Sequence, residues 1–173
     1  MSITKIVSGG QTGADRGGLD AAIYCNVNHG GWAPQGKLAE DGNIPAKYQL
    51  QETASSGYLK RTEQNVVDSD ATIIFTIGNL TGGSFRTMEF AQKHKKPVLH
   101  IDIGEYSRTE TIHWILRWFK GDVTKPTPPK NCVLNVAGSR ESKAPGIQEM
   151  VKAIMMDVLI KMNPECKGFC PLE

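Results

Sequence analysis

Long apolar runs, an excess of either charge and clustered metal-binding residues are all missing from this sequence, and each absence removes a class of function. No run of about 20 apolar residues is present to cross a bilayer. The opening Met1-Ser2-Ile3-Thr4-Lys5 lacks the charged-then-apolar pattern of an export signal, so a cytoplasmic protein with no membrane partner is expected. Lysine plus arginine number 20 against 18 aspartate plus glutamate, which leaves no broad basic field to hold nucleic acid, and no nucleic-acid partner is expected. The four cysteines are scattered and, without an export signal, are expected as reduced thiols. Cys166 and Cys170 would supply half a metal site, but no second ligand pair accompanies them, and no metal is expected. His29, His94, His100 and His113 show neither ligand spacing nor a partner set for nucleophilic catalysis. The glycines from Gly9 to Gly18 miss the dinucleotide spacing and no lysine follows them, so a plain NAD or ATP site is not expected.

What is present is a regular alternation of strand and helix signals, in a length of 173 residues that suits a single domain over 1–173. Ile3 to Ser8 is β-prone and stops at Gly9-Gly10. Leu19, Ala22 and Ile23 share helical spacing in a helix that ends near Asn26 or Asn28, and a short strand is expected at 31–33. The segment from Pro34 to Gly57, punctuated by proline and glycine, reads as a lid or a long surface loop. A helix is expected over 58–68, then a strand over 71–77 whose apolar run, broken only by Thr72 and Thr76, suits a central parallel strand covered on both faces. A helix over 85–95, a strand over 97–102, a helix over 109–119 and a strand over 132–137 follow, and a last helix runs from Ile147 to Met162 before Pro164. Such alternation predicts an α/β fold with a three-layer, doubly wound, mostly parallel sheet.

In such a sheet the loops after the strands meet at one edge, and three of them look alike. They are Ser8-Gly9-Gly10-Gln11-Thr12-Gly13-Ala14-Asp15-Arg16-Gly17-Gly18, Asn79-Leu80-Thr81-Gly82-Gly83-Ser84-Phe85-Arg86-Thr87, and Gly138-Ser139-Arg140-Glu141-Ser142. Each offers glycine for close backbone approach, a hydroxyl, and an arginine whose fork matches phosphate oxygens. Their convergence would gather Arg16, Arg86 and Arg140 around a small anionic ligand. Asp15, Asp20 and Glu89 suit the amino-and-ring-N–H edge of a guanine or pterin, and Asp15 and Asp20 suit equally the positive end of a helix dipole.

The three runs together resemble the family provisionally named molybdenum cofactor carrier proteins, over most of the chain. The resemblance implies a Rossmann-like fold, shared with the lysine-decarboxylase-like proteins, some of them phosphoribohydrolases, and with DNA-processing proteins. It further implies a phosphorylated pterin or nucleotide as ligand, the molybdenum cofactor (molybdopterin) as bound cargo, and a homo-oligomer. The binding set it points to is Gly9, Gly10, Gln11, Thr12, Gly13, Asp15, Arg16, Gly82, Gly83, Ser84, Arg86, Thr87, Glu89, Gly138, Ser139 and Arg140. The phosphoribohydrolase signature is kept at Gly82, Gly83 and Glu89 but departs between them, with Phe85 for its glycine, Arg86 for its threonine and Thr87 one place late. Binding is therefore expected ahead of catalysis. The alternative is hydrolysis of the base–ribose bond of a nucleoside monophosphate, with Glu89 as polar catalytic group and Arg86 steadying developing charge. For assembly, Trp114 and Trp118 lie opposite the apolar stripe of their helix, as interface anchors or under a neighbouring helix.

Overall fold

A computed structural model describes residues 1–164 and Cys166. Its centre is a five-stranded, wholly parallel sheet. The strands are β1 (Ser2–Val7), β2 (Asn28–Gly30), β7 (Ala71–Thr76), β8 (Val98–Asp102) and β9 (Asn131–Gly138), in the order β2-β1-β9-β7-β8. Every residue of β7 is buried, Thr72 and Thr76 together with its apolar residues, as befits a strand covered on both faces. The middle place goes to β9, the last strand, which inserts between β1 and β7.

Helices α1 (Ala14–Tyr24), α4 (Arg108–Lys120) and α5 (Ile147–Met162) pack in one row, and α2 (Tyr58–Val67) packs on α3 (Gly82–Lys93), giving the three-layer Rossmann-like α/β arrangement. In α5 the buried residues Ile147, Val151, Ile154, Val158 and Met162 form the expected core stripe, whereas Met150 faces solvent. Among the described residues no helix is long and apolar enough to cross a membrane.

The segment from Pro34 to Gly57 is built rather than loose. It holds an antiparallel hairpin of β4 (Leu38–Ala39) and β5 (Gly42–Asn43), a turn of 3-10 helix over Ala46–Tyr48, and β6 (Gln51–Glu52), which pairs in parallel with β3 (Trp32–Ala33). Buried Ile44, Tyr48 and Leu50 anchor it.

Two expectations are corrected. Helix α3 begins at Gly82 instead of Phe85, so Gly82, Gly83 and Ser84 are its first turn rather than a free loop. Trp118 is fully buried, with its indole N–H donating to the Pro126 carbonyl at 2.8 Å, so the chain's own connector covers it and it anchors no interface. Trp114 is the exposed member of the pair.

Cys25, Cys132 and Cys166 are all buried, and burial pushes the Cys25 thiol up to about 11 and the Cys132 thiol up to about 12. Cys170 lies outside the described residues. Among the described residues no cluster of histidine, cysteine and carboxylate side chains is composed to hold a metal.

Candidate functional site: a cationic cleft at the sheet edge

Strands β1, β9 and β7 are neighbours, so the segments that follow them emerge side by side at one edge. That edge is also where connections diverge, since β1 leads through α1 to β2 on one flank and β7 leads through α3 to β8 on the other. The loops brace each other through their backbones: Ser139 N–H donates to the Phe75 carbonyl at 2.9 Å, and Ala14 N–H to the Ser139 carbonyl at 3.1 Å. Gly13, at φ 84°, makes this approach possible, because a Cβ there would lie 2.4 Å from the Ser139 oxygen.

Between these loops and α2 lies a cleft whose enclosed part is about 80 Å³. That space admits a phosphate-sized group, with the remainder of any ligand reaching outward. Roomier hollows exist elsewhere, about 370 Å³ beside Asn28 and Asn163 and about 440 Å³ beside Met150. The first has no charged residue among the described ones that line it, and in the second Arg108 is already paired with Asp157 at 2.7 Å. The small cleft is the one where two guanidinium groups and an uncapped helix start come together, and it is the candidate site on that ground.

Its inner wall is an ion pair. Arg61, from α2, donates Nη1 to Asp15 Oδ2 at 3.1 Å, and the same oxygen accepts from Gln11 N–H at 3.3 Å. Burial pushes the Asp15 carboxyl above its ordinary range, while the Arg61 guanidinium and the amides of Gln11 and Gly9 pull the other way. Arg61 Nε is buried and finds no partner among the described residues, a donor that a bound group could satisfy. At the mouth stands Arg140, whose guanidinium forms no hydrogen bond or ion pair with any described residue. Arg61 and Arg140 each lie 5.7 Å from the centroid of the Tyr58 ring, so both cations lean on one aromatic ring. The third cationic element is α3, whose N-cap Thr81 provides no side-chain bond, so the first-turn residues Gly83 and Ser84 bring uncapped amides to the cleft wall. Together these groups can neutralise and hydrogen-bond an oxyanion.

Of the residues expected at a site, Gly9, Gln11, Asp15, Gly83, Ser84, Thr87, Gly138 and Arg140 line the cleft. Others do not. Arg16 is buried beneath the hairpin, donating Nε to the Gly10 carbonyl at 3.1 Å and both Nη atoms to Asp41 at 2.5 and 2.7 Å. Thr12 is engaged through its hydroxyl with Glu40, and Gly10 packs near Ile44 and Leu50. Gly13 and Ser139 serve the loop-to-loop contact, and Gly82 lies at the start of α3 without lining the cleft. Arg86 and Glu89 pair with each other at 2.7 Å on the exposed face of α3, outside the cleft. Asp20 is taken by Lys47, Tyr48 and Gln148. The amides of Gln11, Thr12 and Ala14 are satisfied inside the protein, which leaves the first loop fewer free donors than its glycines suggest.

Arg61 and Tyr58 were missed from the sequence. The one local signal is that Arg61, Asn65 and Val66 share the buried face of α2. Asn65 accepts from Trp32 N–H at 2.8 Å and donates to the Trp32 carbonyl at 3.0 Å, which sets the helix against β3 and aims Arg61 at the loops.

Residues 6–159 match the family described as the circularly permutated YpsA SLOG family. The crystal structure of a protein provisionally named a molybdenum carrier, from Syntrophus aciditrophicus SB, is similar at 46% sequence identity and a TM-score of 0.83, over 92% of this chain and 96% of that one. No curated protein sequence matches.

Proposed function

The chain belongs to the circularly permutated YpsA SLOG family, and from that premise we propose that it is a binding protein for a small phosphorylated ligand, a pterin such as the molybdenum cofactor or a related nucleotide. The phosphate sits in the enclosed part of the cleft, against the amides of Gly83 and Ser84 and between the guanidinium groups of Arg61 and Arg140. The ring extends outward past Tyr58. Asp15 orients Arg61 rather than reading the ring, because its oxygens are engaged by Arg61 and backbone amides. The kinship with a protein provisionally named a molybdenum carrier supports the choice of cargo.

The observation that carries this reading is the uncommitted guanidinium of Arg140, standing at the mouth of a cleft whose inner wall holds Arg61 and which an uncapped helix start also lines. A charge-assisted hydrogen bond contributes about 1.5–3 kcal/mol, so each such donor is worth roughly ten- to hundredfold in affinity. Glu89 and Arg86, the pair on which the hydrolase alternative depends, lie outside the cleft and satisfy each other.

Calorimetric titration with a phosphorylated pterin, with nucleoside monophosphates and with inorganic phosphate tests the proposal. Binding is expected in the native chain and at least tenfold weaker in Arg140→Ala. If none of these ligands binds at high protein concentration, or if Arg140→Ala binds as well as the native chain, the reading is wrong.

A further inference from the structure

The hairpin of β4 and β5 covers donors that the cleft does not use. From Gln35 to Asn43 no residue is buried, so little apolar surface holds this segment to the body. Its attachment is polar instead. The Glu40 carboxylate accepts from the Thr12 hydroxyl, from Ser142 N–H at 3.1 Å and from the Ser142 hydroxyl at 2.6 Å. Next to it, Asp41 takes the Arg16 fork on both oxygens, and Glu40 N–H donates to Gln11 Oε1 at 3.0 Å. Two consecutive carboxylates thus rest on a guanidinium, two hydroxyls and an amide drawn from α1, from the loop after β1 and from the loop after β9. A planar fork with hydroxyl and amide donors is the set that recognises phosphoryl oxygens.

We propose that Arg16, Thr12 and Ser142 form a second oxyanion subsite, filled from within by Glu40 and Asp41 and taken by a phosphoryl group of the ligand when the hairpin swings away. The bend lies at Gly36 and Lys37, with φ of 85° and 47°, and the far side is held at buried Ile44. Gln11 joins the two subsites, since it lines the cleft while its Oε1 accepts from both Glu40 N–H and Thr12 N–H. The inference rests on the cleft reading for its ligand: the pair of subsites selects a molecule with two phosphoryl groups over one with a single phosphate. In the closed state the hairpin competes with that second group and weakens binding.

The test uses inorganic pyrophosphate and inorganic phosphate as calorimetric probes on the whole chain. Replacing both carboxylates, Glu40→Ala with Asp41→Ala, is expected to tighten pyrophosphate binding at least tenfold, and the gain should survive Arg140→Ala, because Arg140 lies near Glu40 but forms no hydrogen bond with Arg16, Thr12, Ser142 or either carboxylate. No gain in a folded double variant, or a gain abolished by Arg140→Ala, overturns the proposal. Hydrogen exchange in the native chain decides the matter independently of whether the double variant folds: saturating pyrophosphate should speed exchange of the Glu40 amide at least fivefold, and an unchanged or slower rate overturns it. Failure of the cleft reading looks different, as native protein whose phosphate binding ignores Arg140 while the double variant still gains affinity for pyrophosphate.

Discussion

Gly9 and Arg61 share one small volume: a Cβ on Gly9 would lie 1.2 Å from Arg61 Nη1 and 2.9 Å from Asp15 Oδ2. The glycine is there to admit a guanidinium from another element, and the ion pair behind the cleft depends on it.

Gly9→Ala is therefore expected to push the Arg61 head group aside, out of its bonding position but still near enough to Asp15 to balance its charge, while leaving the fold intact, because the displaced atom is the far end of a flexible side chain. Stability should fall by about 1–2 kcal/mol and phosphate affinity by tenfold or more. Gly13→Ala contrasts with it. Its new methyl group meets backbone atoms of Ser139 and Glu141 at 2.4 and 2.7 Å, at φ 84°, so a loss of about 3 kcal/mol or more is expected. Thermal melts of the two variants, with calorimetry on the first, check the contrast, and equal stability losses would contradict it.

Removing Arg61 alone leaves the Asp15 carboxyl buried without its counter-charge. Arg61→Leu is expected to destabilise the chain by about 3–5 kcal/mol, while the double change with Asp15→Asn costs clearly less, since no uncompensated charge remains. Urea unfolding of the two single variants and the double variant measures the coupling, and additive losses would show that the pair does not act as a unit.

Acid should loosen the hairpin. Asp41 is held below its ordinary 3.8 by hydrogen bonding to Arg16; for Glu40, burial pulls upward, but the bonds from Ser142 and Thr12 and the nearby Arg140 outweigh it, leaving it below 4.5. Both folded values are depressed relative to the unfolded chain. The stabilisation is therefore present above pH 4.5 for Glu40 and above 3.8 for Asp41, and it is lost as pH falls through the lower folded values. Exchange of the Glu40 and Ser142 amides, corrected for intrinsic rates, should rise in that window ahead of the core strands. A hairpin that stays protected until the whole chain unfolds would count against this.

Trp118→Ala should create a cavity under the connector and cost about 3–5 kcal/mol. Trp118→Phe should cost less, since it keeps most of the packing and loses chiefly the indole donor to the Pro126 carbonyl. Light scattering on Trp118→Phe should give the native mass, because this side chain is fully buried within its own chain. A change of mass in the folded variant would reopen the tryptophan as an assembly contact.

The elements that repeat a local pattern were legible in advance. The β-prone, mostly apolar run of β7 and the stripe along α5 stand where the sequence pattern puts them, and the loops after β1 and β9 do meet. The start of α3 was not legible, because glycine is a poor helix former and Gly82-Gly83 reads as a loop until the sheet and α2 pack around it. Nor was the fate of the arginines. Arg16, Arg86 and Arg140 look equivalent in sequence, yet the first is paired with Asp41, the second with Glu89, and the third with no described carboxylate.

By itself, then, the sequence determined the alternation of strands and helices and the edge at which glycine-rich loops would gather, because both follow from short-range periodicity and from the common direction of parallel strands. Only the tertiary structure decided that Arg61 enters the cleft and that Arg16 leaves it. A guanidinium answers to whichever carboxylate comes within about 3 Å, and here those carboxylates, Asp15 and Asp41, sit on segments that meet their arginines only when the chain is folded.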